Sequence, residues 1–439
     1  MKGLTSTIAL AAILAALGGY IYFVEMKKPA SSEPPKAKVF SVEAGDIEDL
    51  SVKAASGDTT HLQKINGSWA MVEPVKADAD ATEPVTISSS LSSIEIERVI
   101  DENPASLKEY GLDPPRIDIA FKAKGDKDAR HLLIGDKAPA GGNLYAMRQG
   151  EKKVFLLSGF LENTLNRTSF DLRDKSIVKF DRGKVDSIEI SQSGKTLQFV
   201  KHGEAEWNVM KPVAVRGDFG SIDGVLSSLS STQVQKFIAT EATDLAQYGL
   251  AKPELTVTLA GGGSQSALLI GKAAEGTRYA KDSNRPVIFT VGDNLLKDLQ
   301  KDVADFRRKD IFEFRAFNAN RVEFRRGADT IALEKTKDKD GKDVWKTAAG
   351  KALDSAKAED PLMKFANLRA DAFESTPPAA LKSPELTITA QFDDSKKTDV
   401  VRFAKSGADV YAVRDGEPGA AKLPAAAYDE ALKGLDALK

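Results

Sequence analysis

The chain has 439 residues, 42% hydrophobic and 29% charged, which is enough apolar material for ordinary cores. Its 62 basic and 64 acidic residues leave a formal net charge of −2, without the basic excess that marks a nucleic-acid binder. There is no cysteine, which excludes disulfides, thiolate chemistry and a lipidated N-terminal Cys.

The first element is the charge-free run 4–24, preceded by Lys2 and followed by Lys27 and Lys28. About 20 apolar residues cross a bilayer core, so residues 1–24 are expected to form a transmembrane anchor. The competing reading is a cleaved signal peptide, whose apolar region runs about 7–15 residues. Here the run continues through Tyr20, Tyr22 and Phe23 without a small-x-small site at its end. Lys27 and Lys28 pull toward the cytoplasm under the positive-inside rule, but the short head favours the body outside. The expectation is a single-pass inner-membrane protein with its bulk in the periplasm. Residues 25–38 contain Pro29, Pro34, Pro35, Ser31 and Ser32, the composition of a semi-extended spacer.

The remainder is expected to be α+β, with three repeated, mostly antiparallel sheet-plus-helix domains at 39–180, 181–314 and 315–439. In the first, strand patterns at 47–52 and 59–65 lead into the hairpin turn Asn66-Gly67 and then Trp69. A polar helix follows within 78–93, an alternating run at 94–100 and a short helical turn at 105–110 ending on Gly111. Four strand patterns follow at 116–122, 130–134, 144–148 and 153–157; a helix at 160–168 and a segment at 176–180 close the repeat. The second domain repeats this order. Asp218 is placed to cap a helix with apolar positions Ile222, Val225, Leu226 and Leu229. Gly261 to Gly263 join two strands, and 294–306 is an amphipathic helix. In the third, 321–324 and 330–335 form a hairpin, 360–369 is helical, 386–392 and 400–403 are strands, and a helix at 428–438 closes the chain.

The repeat is written in residues. Trp69, Trp207 and Trp345 stand at equal spacing (207 − 69 = 138; 345 − 207 = 138). Tyr110-Gly-Leu112 with Pro114 matches Tyr248-Gly-Leu250 with Pro253, and Leu132-Leu-Ile-Gly135 matches Leu268-Leu-Ile-Gly271. The third copy lacks both motifs and the basic segment that closes the first two. A period near 135 is the size of a domain and too long for common solenoids.

No set of residues carries catalysis, so catalytic, cofactor and metal sites are expected to be none. His61, His131 and His202 have no partner at metal-ligand spacing and are expected as exposed strand residues. Asp338 to Asp343 resembles a calcium loop but lacks Gly at its sixth position and Glu at its twelfth. The Gly261–Gly263 run lacks GK[ST] and is expected as a turn. Gly135 and Gly271 are expected to supply positive φ at strand ends. Tyr110 and Tyr248 are expected to pack a short helix onto the sheet, and the three Trp residues to share one structural task. Arg173, Lys175, Arg307, Arg308 and Lys309 make basic steps where domains end, read as solvated faces.

The Trp hairpins, the Tyr-Gly-Leu turns and the Leu-Leu-Ile-Gly strands resemble a family of bacterial membrane-anchored proteins built on a repeated domain of unknown function. That resemblance spans about residues 39–439, clear in two copies and weak in the third. It implies a partner, an ABC transporter of the gliding-motility auxiliary type, and no catalytic residues. The function expected is a membrane-anchored extracytoplasmic binding or scaffolding subunit beside a transporter permease. The alternative is a cell-envelope structural protein that binds polysaccharide or another surface component. No enzyme activity, cofactor or nucleic-acid partner is expected, and the ligand is left open.

Overall fold

The computed structural model describes Tyr20 and residues 36–203, 206–241 and 243–438. The expected anchor, apart from Tyr20, and spacer residues 25–35 lie outside the described residues. Among the described residues, no helix is long and apolar enough to cross a membrane. The chain divides into two compact units, Met1–Asp174 and Lys175–Lys439.

The first unit holds one nine-stranded sheet. Across it the strands run Ala77–Asp78, Ser68–Glu73, Thr59–Ile65, Ile47–Lys53, Ile117–Ala123, Arg130–Lys137, Leu144–Arg148, Val154–Leu157 and Arg98–Asp101. Every neighbouring pair is antiparallel. Tight turns do this: Asn66 and Gly67 both take positive φ between two strands, which that residue pair tolerates. Alternation assigns the two faces. Leu144 and Ala146 join the main core with Ile87 and Leu91 of the helix Glu83–Ser93. Tyr145 and Met147 face the other way and meet Leu112.

The second unit holds two more sheets on the same plan. One has nine strands: Val215–Arg216, Glu206–Lys211, Lys195–His202, Ser187–Gln192, Leu255–Gly261, Ser264–Ala274, Thr277–Asp282, Ile288–Gly292 and Lys236–Ala239. The other has eight: Asp343–Thr347, Asp329–Lys337, Ala319–Arg326, Leu386–Phe392, Lys397–Ser406, Asp409–Arg414, Ala420–Leu423 and Ala372–Glu374. Its missing outermost strand is reduced to a single bridge between Lys346 and Ala352. Three mostly antiparallel sheets with helices against them are therefore present, and the eroded third copy keeps the strand order.

Several helices differ from expectation for local reasons. Asp218 does cap Phe219–Ser231, accepting from Ser221 N at 2.8 Å, and Ile222, Val225, Leu226 and Leu229 are buried. The helix expected at 294–306 is broken into Asp293–Leu299 and Val303–Phe306, because Asp302 and Asp305 form a capping box that restarts it. The helix expected at 160–168 is Leu161–Leu165, with a second short helix, Ser169–Leu172, started by the Thr168–Asp171 box. The helix expected at 360–369 begins earlier, at Ser355, capped by Asp354. Pro361, a residue that favours the first turn of a helix, lies inside Ser355–Ala366.

The segments expected to close each repeat instead open the next one. Ile177 and Val178 are in the second core; Ile311, Phe312 and Phe314 are in the third. Val39 and Phe40 hold the same place in the first. Each segment pairs with the chain just after its own repeat's long helix: Val39 N donates to Ile94 O at 2.9 Å, Val234 N to Lys175 O at 2.8 Å, and Ile311 N to Leu368 O at 3.1 Å. The third repeat therefore has its basic-then-apolar segment, at its own front.

Candidate functional site

The three Trp residues occupy one slot, on the third strand of each hairpin pair. Opposite them across the ladder stand Lys64, Lys201 and Lys335. Trp207 and Trp345 are buried and Trp69 half-buried. Lys64 Nζ lies 5.2 Å from the Trp69 ring centre and Lys335 Nζ 5.1 Å from that of Trp345, within cation–π range. Each ammonium also fastens a backbone turn: Lys64 donates to Gly45 O at 2.9 Å, and Lys335 to Ala316 O and Phe317 O at 2.8 Å. Burial holds the Lys335 amine below the usual lysine range. In the first and third repeats this slot fastens a hairpin to a neighbouring turn.

The Tyr-Gly-Leu turns also pack. Tyr110 meets Tyr145 edge-on at 5.0 Å, and Tyr248 meets Tyr279 in the same way at 5.0 Å. Gly111 and Gly249 cap these turns in the left-handed region. The expectation for Gly135 and Gly271 is corrected. Neither takes positive φ; each is small because a Cβ would fall 2.0 Å from Tyr110 O or 2.2 Å from Tyr248 O. In the third repeat Ala404 takes the place of Gly135 and Gly271, and it packs with Leu381 and Tyr411.

The histidines are not lone exposed residues, with one exception. His61 Nε2 lies 2.9 Å from Asp49 Oδ2, which also accepts from Gln63 Nε2 at 2.9 Å. His131 Nδ1 lies 2.9 Å from Asp118 Oδ1. Both are half-buried cross-strand pairs, while His202 is exposed as expected. Among the described residues there is no group of three or more His, Cys, Asp or Glu placed to hold a metal. Asp338 spends its carboxylate on its own turn, accepting from Asp340 N and Lys342 N at 2.9 Å. Gly261 joins two strands and lies so close to Lys184 that a Cβ would sit 1.9 Å from its carbonyl oxygen.

The basic step at 307–309 is a solvated face only at Lys309, which is exposed; Arg308 is half-buried. Arg307 is only 9% exposed. It donates to Glu417 Oε2 at 3.1 Å and Pro418 O at 3.3 Å, with its guanidinium 4.0 Å above the Phe373 ring. Burial pushes Arg307 below the usual arginine range and Glu417 opposes that shift. Arg216 also pairs with Glu417 and donates to Asp310 O at 2.9 Å. Buried Asp399 accepts from Glu313 N at 2.7 Å and Phe314 N at 3.2 Å and pairs with Arg414. These charges join the second and third sheets of one unit. Arg173 forms a backbone bridge with Ala79 inside the first unit.

None of the network's acids stands out in the sequence, although one signal is there. Asp399 shares a strand face with Val401 and Phe403, and a charge at an inward position must be paired. Among the concavities of this unit, two are lined by residues of the second sheet. One, of about 350 Å³, lies at Trp207, Arg216, Phe219 and Arg308. The larger, of about 540 Å³, has an apolar floor of Ile190, Leu197, Leu299 and Val303 with Lys195 and Lys301 at its rim.

Three sheets on one strand order, fastened by repeated Trp–Lys slots and buried ion pairs, define a tandem-repeat protein whose distinctive residues serve packing. A family model described as a domain of unknown function (DUF4340) matches it twice, over residues 69–211 and 207–386, each match opening on a Trp slot. The chain belongs to that family. A comparison with curated proteins finds no match.

Proposed function

We propose that the chain is a non-catalytic binding or scaffolding subunit, held to the inner membrane by residues 1–24 and working outside the cytoplasm beside an ABC transporter permease. The observation that carries this reading is the charge-free run 4–24 with its Pro- and Ser-containing spacer, placed before repeated sheet domains. The repeats support it because their distinctive residues fasten backbone to backbone. Sheet domains held off a bilayer by a spacer suit contact with a neighbouring membrane protein.

Crosslinking in intact membranes, gentle solubilisation and recovery of the full chain test the proposal. A transporter permease is expected in the recovered complex. Repeated recovery of the chain alone, or a soluble chain shortened at its N-terminus, would sink it.

A second reading is an envelope protein that binds polysaccharide. Phe160 and Phe317 favour it, being 88% and 82% exposed, since exposed aromatic faces stack on sugar rings. A glycan array separates the two: saturable binding that falls when either Phe becomes Ala supports the second reading.

A further inference from the structure

The first and third repeats close one place in the fold in different ways, and the second leaves it open. The place is the seam between the first hairpin of each sheet and the last helical segment of the same repeat. Register equates the positions: Val52 pairs with Thr60 and Ile119, as Ile190 pairs with Leu197 and Val257.

In the first repeat, strand pairing stops at Lys53 and Thr59, and residues 54–58 turn into the seam. Ala54 is buried there. Ala55 N donates to Asn166 Oδ1 at 2.9 Å, and Asp58 Oδ2 accepts from Ser169 N at 2.7 Å and Ser169 Oγ at 2.8 Å. In the third repeat, one long helix, Ala425–Asp436, lies where the others have two short ones. Asp436 reaches Arg326 beside the hairpin turn at 3.2 Å.

The second repeat has neither device. Its pairing continues to Gln192 and Lys195, leaving a flat turn of Ser193 and Gly194. Lys195 stands where the first repeat has Asp58, Gln300 where it has Asn166, and Val303 where it has Ser169. Leu197 replaces the fully buried Thr60 and is left half-exposed. The result is the groove of about 540 Å³.

We propose that this groove receives a polypeptide turn from a partner protein, built of small residues and ending in a carboxylate. The first repeat supplies such a turn from its own chain; the second would take it from outside. Lys195 and Lys301 at the rim replace the Asp58–Ser169 contact with positive charge, which fits the partner's carboxylate. The proposal rests on reading the chain as a binding subunit and names the surface it would use.

The test uses the full-length chain, which has no cysteine, so Gln300→Cys accepts a single environment-sensitive dye. The probe is a cyclic peptide of residues 53–59. Saturable dye response is expected, weakened about threefold or more when the peptide's Asp becomes Asn. Two blocked chains should lose at least about tenfold in affinity. One replaces residues 192–195 by residues 54–58; the other carries Leu197→Trp, which puts a larger side chain on the groove floor beside Ile190 and leaves the turn intact. No saturable response, or equal binding by a folded Leu197→Trp chain, overturns the proposal. Permease recovery separates it from the broader reading. Recovery unchanged in the Leu197→Trp chain defeats the groove alone, and recovery lost there supports both.

Discussion

At the scale of single residues, the repeated positions separate packing from chemistry. Gly135 and Gly271 face a carbonyl oxygen at a distance no Cβ occupies. Gly271→Ala is therefore expected to cost about 1–3 kcal/mol, read as a lower urea midpoint without a change of slope. Trp345 is fully buried, and Trp345→Ala should cost about 3–5 kcal/mol; Trp69→Ala, at a half-buried slot, should cost less. Equal losses at the two positions would contradict the burial difference. The Trp slot was legible in the sequence because all 3 Trp residues of the chain fall on one interval, the length of a domain. The reason for the Gly residues was not, because a strand-end glycine reads alike whether it needs positive φ or close approach. The close approach comes from a turn about 25 residues earlier in the chain (135 − 110 = 25), a distance that local pattern does not reach.

At the scale of elements, the entering segments carry the larger electrostatic stakes. Asp399 satisfies two backbone N–H groups and Arg414 at once. Removing it leaves the Glu313 and Phe314 N–H groups without their acceptor, while the half-buried Arg414 keeps Glu313 and Glu417. Asp399→Ala should destabilise by about 2–6 kcal/mol, with hydrogen-exchange protection lost first at Glu313 and Phe314. Asp282 takes the comparable part in the second repeat, accepting from Lys179 N at 3.2 Å and pairing with Arg285. Glu162 provides a pH-dependent case in the first unit. Lys137 and then Arg116 hold its carboxyl below the usual glutamate range. A lowered carboxyl contributes stability that is complete above its unfolded pKa and lost as pH falls through the folded one. Acid unfolding of a Glu162→Gln chain should therefore show a shallower loss of stability below the ordinary glutamate value of 4.5. An unchanged acid limb would mean that Glu162 has no part in acid unfolding. Strands and hairpin turns were legible here because period-two alternation and the Asn66-Gly67 pair act locally. The polar clamps were not, since Asp399, Arg414 and Glu313 meet only after the sheet forms.

At the scale of the whole molecule, the repeat plan was legible, and the unit edges were displaced by the entering segments. Residues 176–180 and 305–314 look like endings because they follow helices and carry charge. Their apolar positions belong to the next core, which only the fold reveals. Fragments should reflect this. A chain of residues 175–439 is expected to unfold in a cooperative urea transition, whereas one of residues 181–439 lacks Ile177 and Val178 and should be less stable or fail to fold. Indistinguishable midpoints would argue that the segment is dispensable. The segment 309–314 has a mechanical consequence too. It leaves one sheet and is clamped into the next without slack. A stretching force on the second unit would load the Asp399 clamp before any connecting loop straightened, so this stretch of the molecule should behave as a stiff strut.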